Sequence, residues 1–229
     1  MKRTRERIPE CGAIEDSEGL SSESYAEIMR KRLWGEYQRF AGFVLEEGRP
    51  CRGARLLEIG PGPGWIGIIL AKARPDISIE ALDASEDMVR AYRATIAKEG
   101  LEERIQVATG RAERLGESVK GAFDLVYSRD SLHHWDDPRA AFAAIRGALK
   151  GGGALVLQDE RRDIGAAARL IVKAQCAFVL GPMGKYWQSS IAAGYTADEV
   201  RGFLELSGFR DISVLPDFLN LAVIARVSP

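Results

Sequence analysis

Residues 55–64 read RLLEIGPGPG, and this stretch decides the fold of the chain. The first five residues form a short apolar run, which predicts a buried strand. Three glycines follow at alternate positions, Gly60, Gly62 and Gly64. Glycine tolerates positive φ and leaves room for a ligand against the backbone, and the helix expected directly afterwards presents free N–H groups to an anion. The stretch therefore predicts a strand, a ligand-binding turn and a helix.

Strands and helices alternate from this stretch to the end of the chain. Strands are predicted at residues 55–59, 77–82, 104–108, 123–127, 154–158, 212–215 and 219–226. Helices are predicted at residues 65–72, 86–99, 138–149, 164–180 and 196–206. Units of this length form a parallel sheet that helices cover on both faces. The expected fold class is α/β, with a doubly wound, mostly parallel seven-stranded sheet, an antiparallel last strand and a helical lid.

Further segments are expected to complete a single domain. Residues 1–21 are charged and lack periodicity, so we expect a flexible tail before a domain at residues 22–229. Residues 22–50 carry an apolar helical stripe and are predicted to form an N-terminal helical cap. Residues 159–195 are predicted to be a lid insertion between the fifth and sixth strands. Aromatic side chains in the cap and the lid are expected to define the substrate pocket.

The composition narrows the range of partners. The 229 residues include 32 Lys plus Arg and 33 Asp plus Glu, so the chain lacks the positive charge that nucleic-acid binding requires. No apolar run reaches the roughly 18 residues of a membrane span. The cysteines Cys11, Cys51 and Cys176 have neither disulfide-framework nor zinc-site spacing. We therefore expect a cytoplasmic monomer or homodimer that acts on a small molecule, with no nucleic-acid or membrane partner and no metal.

An acidic residue stands in register with the glycine turn. Asp83 follows the second predicted strand, 19 residues after Gly64. A carboxylate at this point of a doubly wound sheet can accept both hydroxyl hydrogens of a ribose. Residues 62–67, GPGWIG, also satisfy the GxGxxG fingerprint of dinucleotide-binding proteins. These residues alone do not separate a dinucleotide from another nucleoside cofactor.

Sequence segments beyond the glycine turn distinguish a dinucleotide from another nucleoside cofactor. Residues 58–64, with an acid two positions before the first glycine, resemble motif I of the class I (Rossmann-like) S-adenosylmethionine-dependent methyltransferases. Further segments are similar to that family in the expected order: LDAS at 82–85, GRAE at 110–113, FDLVYS at 123–128 and LKGGG at 149–153. The resemblance covers residues 55–158, and a dehydrogenase would not be expected to reproduce this series.

The resemblance implies S-adenosylmethionine as the cofactor and S-adenosylhomocysteine as the product. It implies cofactor-binding roles for Glu58, Gly60, Gly62, Gly64, Asp83, Ala84, Met88, Ala112, Glu113 and Ser128. By this resemblance Glu58 would lie near the methionine part, Asp83 would take the ribose hydroxyls, and the Ala112 N–H would meet the adenine. Arg111 departs from the family, because it cannot accept a hydrogen bond from the adenine amino group. Either Glu113 substitutes there or that contact is missing.

Both histidines of the chain follow the fourth predicted strand, within SRDSLHHW at residues 128–135. Methyl transfer is an in-line displacement, which requires alignment of the nucleophile with the sulfonium in a dry pocket. If the nucleophile is a hydroxyl, His133 or His134 can act as the base that removes its proton. Alternatively, one of them only packs over the cofactor. The nearby Asp137 precedes a proline and is explained as a helix N-cap, so no metal site is expected.

The predicted activity is that of a methyltransferase enzyme, which transfers a methyl group from S-adenosylmethionine to a small-molecule acceptor. The sequence leaves the acceptor atom open. Two alternatives remain, an NAD(P)-dependent oxidoreductase, supported by the GxGxxG match alone, and a non-catalytic regulatory module that binds S-adenosylmethionine. Cofactor identity tests the first alternative, and a search for methylated product tests the second.

Overall fold

The structure is a computed structural model, and it describes residues 6–9, 22–118, 122–177 and 183–229. Its strands are β1 (Arg55–Ile59), β2 (Ser78–Asp83), β3 (Ile105–Thr109), β4 (Phe123–Arg129), β5 (Leu149–Glu160), β6 (Arg210–Pro216) and β7 (Asn220–Arg226). Its α-helices are α1 (Ser22–Gly48), α2 (Trp65–Ala73), α3 (Glu86–Glu99), α4 (Leu115–Ser118), α5 (Pro138–Ala148), α6 (Ala166–Gln175), α7 (Met183–Ala193) and α8 (Ala197–Leu206). Short 3-10 turns cover Ala112–Arg114 and Leu132–His134. Among the described helices, none is both long and apolar enough to cross a membrane.

The seven strands form one sheet in the order β3-β2-β1-β4-β5-β7-β6. Strands β1 to β5 pair in parallel, and β7 lies antiparallel between β5 and β6. The predicted doubly wound sheet with an antiparallel last strand is therefore confirmed. The chain builds outward from β1 in both directions, so the strand order reverses between β1 and β4. Ligands of such sheets bind outside the carboxyl ends of the strands at this switch point, where the glycine turn lies.

Apolar side chains cover both faces of the sheet. Side chains alternate along a strand, so Leu56 and Leu57 of β1 point to opposite faces. Leu56 belongs to a buried cluster with Val44 of α1 and Tyr92 of α3. Leu57 belongs to a second buried cluster with Phe142 of α5 and other residues of α5 and α8. The near-continuous apolar runs of the parallel strands follow from this burial on both faces.

Local capping signals explain why several helix ends could be predicted. Ser85 is the N-cap of α3, and Gly100 ends that helix with a φ of 66°. Asp137 caps α5 by accepting two backbone N–H groups. Thr196 and Glu199 form a complete capping box at the start of α8. These side chains accept hydrogen bonds from the N–H groups of the first helical turn, which have no carbonyl partner within the helix. Because the cap and these N–H groups are close in sequence, the helix starts can be predicted from the sequence.

The fifth strand differs from its prediction. Leu149, predicted to end a helix, is the first residue of β5, and the strand extends to Glu160. The glycines before Ala154, which predict a turn, lie within the strand beside an irregularity in its pairing with β4. The antiparallel partner β7 pairs with β5 from Ala154 to Glu160, and this long-range pairing lengthens the strand.

The helices of the segment predicted to form a lid also differ from their prediction. The helix predicted at residues 164–180 is α6, which ends at Gln175, and residues 178–180 lie outside the described residues. No helix was predicted at α7, where GPMGKYW at residues 181–187 contains two glycines and a proline. Gly184 lies in α7 nevertheless. A Cβ there would lie 2.7 Å from the Cβ of Cys176, so the glycine permits close packing of α7 on the end of α6.

Residues 6–9, which we call the N-terminal strap, lie against α7. The Ile8 N–H donates to the Ala192 carbonyl at 3.1 Å. The Arg7 guanidinium donates to the Ala193 carbonyl at 2.7 Å and to the His133 carbonyl at 2.8 Å. This part of the expected flexible tail is therefore held on the domain. The other residues of 1–21 lie outside the described residues.

Candidate functional site

The turn after β1 is shaped by three glycines with positive φ, of 63° at Gly60, 54° at Gly62 and 79° at Gly64. A Cβ at Gly60 would lie 2.1 Å from Ser131 Oγ, and one at Gly64 would lie 2.0 Å from the Tyr92 ring. A Cβ at Gly62 would meet no atom closer than 4.0 Å. The outer two glycines are therefore required by packing, whereas Gly62 leaves open space beside the backbone.

The Asp83 side chain is hydrogen-bonded to the backbone of Gly62. Its Oδ2 accepts the Gly62 N–H at 2.8 Å, and its Oδ1 accepts the Ser85 N–H at 2.9 Å. Burial raises the pKa of the Asp83 carboxyl, and the two N–H donors oppose that rise. The carboxylate is thus held in one orientation at the end of β2, and each oxygen keeps acceptor capacity for a hydroxyl. Of its predicted neighbours in the site, Ala84 is exposed and Met88 is buried.

Glu58 lies beneath the glycine turn. It points to the face of the sheet that α2 and α3 cover, where the Tyr92 hydroxyl donates to its Oε2 at 3.1 Å. Burial raises the pKa of the Glu58 carboxyl to about 7. A Cβ at Gly67 would lie 2.0 Å from the Tyr92 hydroxyl and 2.6 Å from Glu58 Oε2. Packing of these two side chains therefore requires Gly67, which accounts for the GxGxxG match without a pyrophosphate.

The loop after β3 is tied to the loop before α5. Glu113 Oε1 accepts the N–H groups of Asp136 at 2.8 Å and Asp137 at 3.2 Å, and Arg111 forms an ion pair with Asp136. Ala112, between them, is buried. The Glu113 carboxylate therefore stabilises the loop that carries Ala112. Ala112 is the residue predicted to contact the adenine.

Ser128 lies at the carboxyl end of β4 and is buried. Its hydroxyl donates to the Ile59 carbonyl at 2.8 Å, at the end of β1. The hydroxyl hydrogen is therefore used to join the two strands that flank the switch point, directly under the glycine turn.

The two histidines have different surroundings. His133 is 3% exposed, and its Nδ1 lies 2.6 Å from Asp159 Oδ1. His134 is exposed, and its ring centroid lies 4.0 Å from that of His133. Burial raises the pKa of Asp159, but the contacts with His133 outweigh burial and hold it below its usual value. The structure thus pairs His133, one of the two predicted candidates, with the Asp159 carboxylate.

Asp159 is a candidate site residue that was not predicted from the sequence. Its Oδ2 accepts the N–H groups of Ser131 at 2.9 Å and His133 at 3.3 Å, and its Oδ1 also accepts the Glu160 N–H at 2.8 Å. It thereby fixes the turn after β4 to the end of β5. Its position directly after a predicted parallel strand, at the same sheet edge as Asp83, was the available signal.

Ligand atoms of His133, Asp159 and Glu160 lie within 4.8 Å of one another, close enough to consider a metal ion. Both oxygens of Asp159 already accept N–H donors, and His133 Nδ1 bonds one of them. A cation would have to displace these bonds before it could bind. His133, Asp159 and Glu160 therefore form a hydrogen-bonded cluster.

Arg129 lies at the end of β4, and its side chain is 9% exposed. Its guanidinium lies 5.6 Å from the Tyr37 ring centroid and 6.0 Å from that of Phe40. Its Nε lies 3.1 Å from Asp130 Oδ2, and among the described residues its Nη1 has no hydrogen-bond partner. Burial and the nearby Asp130 charge raise the pKa of Glu160 well above its usual value. Arginine and carboxyl groups therefore surround the turn that carries the histidines.

The fold, the glycine turn and the fixed carboxylate after β2 together define a Rossmann-like domain for a nucleoside cofactor. Residues 57–157 match the family of methyltransferase domains. The resemblance read from the sequence is thereby confirmed, and this region is a class I methyltransferase domain dependent on S-adenosylmethionine.

The chain is 30% identical over 156 residues to a ubiquinone biosynthesis O-methyltransferase of Caulobacter, and the match covers 68% of this chain and 59% of that protein. The chain thus spans little more than half the length of the curated relatives it matches. The match includes most of the domain, but a large part of each relative has no counterpart in it.

Solved structures share the fold. A Methanococcus maripaludis protein, provisionally named an S-adenosylmethionine-dependent methyltransferase, is 23% identical with a TM-score of 0.71, over 97% of this chain and 98% of that chain. Phosphoethanolamine N-methyltransferase 2 of Haemonchus contortus, solved with S-adenosylmethionine, is 19% identical with a TM-score of 0.70, over 94% of this chain and 59% of that chain. At these identities the likeness establishes the fold alone.

Proposed function

We propose that this chain is an enzyme that transfers a methyl group from S-adenosylmethionine to a hydroxyl of a small-molecule acceptor, with S-adenosylhomocysteine as the product. The observation that carries the proposal is the Asp83 carboxylate, held by the Gly62 N–H beside the open part of the glycine turn. A carboxylate there suits a ribose diol, and the methyltransferase match favours the methyl donor over a dinucleotide. The O-methyltransferase relatives support a hydroxyl acceptor.

The residues around the turn fit this cofactor. Asp83 would accept the ribose hydroxyls, while Gly62 borders the methionine part. Met88 would pack against the adenine, and the Ala112 N–H would donate to its ring. When bound, the cofactor supplies a methyl carbon activated by a cationic sulfonium. Glu58 would stabilise the glycine turn from below, because its buried carboxylate accepts a hydrogen bond from the Tyr92 hydroxyl.

His133 would be the base that accepts the proton of the acceptor hydroxyl. A neutral imidazole that donates from Nδ1 to Asp159 keeps Nε2 as its acceptor nitrogen. The proton would pass from the acceptor oxygen to Nε2 as that oxygen attacks the methyl carbon, and the donor sulfur would leave as a thioether. Asp159 is then a positioning residue. Nε2 is buried, so the acceptor can reach it only after the residues that cover this nitrogen move.

Two measurements test the proposal. Calorimetry should detect binding of S-adenosylmethionine and no binding of NAD. In an assay with labelled S-adenosylmethionine and a panel of phenols, His133→Gln should lower kcat by about 10²-fold and leave cofactor affinity unchanged. His134→Gln is the matched control, an exposed neighbour that should keep activity. Binding of NAD alone would overturn the cofactor assignment, and full activity of His133→Gln would overturn the role of the base.

The remaining alternatives make different predictions. A non-catalytic module would bind S-adenosylmethionine but give no methylated product with any acceptor. The oxidoreductase reading depended on the GxGxxG match, which the packing around Gly67 explains. The cytoplasmic location, the monomer or homodimer, and the lack of nucleic-acid and membrane partners stay predictions from composition.

A further inference from the structure

The N-terminal strap is docked on the carboxyl end of α7. The last carbonyls of a helix have no partner within that helix. Two such carbonyls of α7 accept hydrogen bonds from the strap: Ala192 from the Ile8 N–H at 3.1 Å, and Ala193 from Arg7 Nε at 2.7 Å. A guanidinium group is also favoured there, because the carboxyl end of a helix carries partial negative charge.

Arg7 is the residue that anchors the strap. Glu6, Ile8 and Pro9 are exposed, whereas Arg7 is half-buried. Its guanidinium lies 4.4 Å from the ring centroid of the buried Tyr195, within the range of a cation–π contact. The Ile8 side chain is 66% exposed, so it buries little apolar surface. Attachment of the strap therefore depends mainly on the Arg7 side chain.

The same guanidinium reaches the turn that carries the histidines. Arg7 Nη2 donates to the His133 carbonyl at 2.8 Å, while Nε donates to the Ala193 carbonyl. Nε and Nη2 lie on one edge of the planar guanidinium, so a single rigid group fixes the distance between the two carbonyls. Arg7 thus joins the end of α7 to the turn after β4.

His133 is held by two parts of the chain that are distant in sequence. Asp159 of β5 accepts its N–H at 3.3 Å and lies 2.6 Å from its Nδ1. Arg7 holds the carbonyl of the same residue. Contacts at the N–H, the ring and the carbonyl restrict rotation of the residue. Such restriction matters for a catalytic base, because a misplacement of about 1 Å can slow a reaction by about 10²-fold.

We propose that Arg7 is a positioning residue for methyl transfer, which holds the His133 backbone so that the imidazole meets the acceptor hydroxyl. This inference rests on the proposed role of His133 as the base. The strap, which belongs to the tail predicted to be flexible, is then part of the active site. Loss of Arg7 should slow turnover and spare cofactor binding, because its contacts are with α7, Tyr195 and His133 rather than with Asp83.

The first test is kinetic and uses the full chain. Arg7→Ala should lower kcat by about tenfold and leave the calorimetric Kd for S-adenosylmethionine unchanged. Guanidinium chloride at a low, non-denaturing concentration should restore part of the rate, since the free ion can donate to both carbonyls. Arg52→Ala is the matched control, at an exposed arginine in the loop before β1, on the opposite edge of the sheet. It should keep its kcat and gain nothing from guanidinium.

The second test is nuclear magnetic resonance of the histidine rings and requires no methyl acceptor. The chain has two histidines, so His134→Gln assigns the ring signals of both. Arg7→Ala should shift the His133 ring signals, and added guanidinium should return them towards their original positions. Arg52→Ala should leave them unchanged.

Unchanged His133 ring signals in Arg7→Ala would overturn the inference. A lower Tm with full kcat would also overturn it, because Arg7 would then only stabilise the fold. Equal loss of kcat in Arg7→Ala and Arg52→Ala would do the same. Full activity of His133→Gln would refute the proposed base and this inference together, and shifted ring signals would then place the failure in the chemistry rather than in the Arg7 contact.

Discussion

Glutamine in place of Glu58 tests whether the buried carboxyl beneath the glycine turn destabilises the folded chain at neutral pH. Glu58 is 2% exposed, and burial raises the pKa of its carboxyl from 4.5 to about 7. The folded chain therefore holds this proton more tightly than the unfolded chain. The resulting stabilisation is complete at pH values below 4.5 and is lost as the pH rises towards about 7.

The size of the effect follows from the two pKa values. Each pKa unit corresponds to about 1.36 kcal/mol, so ionisation of Glu58 should remove about 3 kcal/mol from the free energy of unfolding. Glutamine does not ionise. Its oxygen can still accept the Tyr92 hydroxyl hydrogen, and its amide can donate to the buried Tyr127 hydroxyl, which faces the same carboxyl.

The assay is urea unfolding, followed by tryptophan fluorescence, at several pH values without cofactor. The stability of Glu58→Gln relative to the unmodified chain should increase by about 2–3 kcal/mol between about pH 5 and pH 8.5. Glu205→Gln, at an exposed position of α8, should show no such increase. A difference that stays constant across this range would refute the reasoning, because Glu58 would then ionise equally in the folded and unfolded chains.

Further substitutions test the glycine turn, the carboxylate proposed to bind the ribose, and a helix cap. Asp83→Ala should weaken S-adenosylmethionine binding by about 1–3 kcal/mol, because charged hydrogen bonds are lost; an unchanged calorimetric Kd would exclude the ribose role. Gly64→Ala should lower Tm strongly, since its Cβ would lie 2.0 Å from the Tyr92 ring, whereas Gly62→Ala should fold but bind the cofactor poorly. Equal thermal melts of the two variants would contradict this distinction. Thr196→Ala should destabilise the chain by about 1 kcal/mol in chemical denaturation through loss of the capping box. No change in the denaturation midpoint would show that the cap contributes nothing.

Much of the fold could be predicted because its signals are local. The apolar run at 55–59 and the glycines after it specify a buried strand and a turn with positive φ. The caps at Ser85, Asp137 and Thr196 satisfy N–H groups within three residues of themselves. Alternation of such units leaves few topologies other than a doubly wound sheet. The ordered resemblance to methyltransferases then indicated which cofactor this sheet binds.

The tertiary structure decided which side chains contact one another around the glycine turn and the histidines. His133 and Asp159 are 26 positions apart and meet only because β4 and β5 are parallel neighbours that end at one edge of the sheet. Gly67 matches a dinucleotide fingerprint in sequence, yet in the fold it makes room for the Tyr92 hydroxyl and the Glu58 carboxyl. Backbone conformation is set by neighbours along the chain. The environment of a side chain depends on long-range packing, so the pairing of His133 with Asp159 and the burial of Glu58 emerged only in three dimensions.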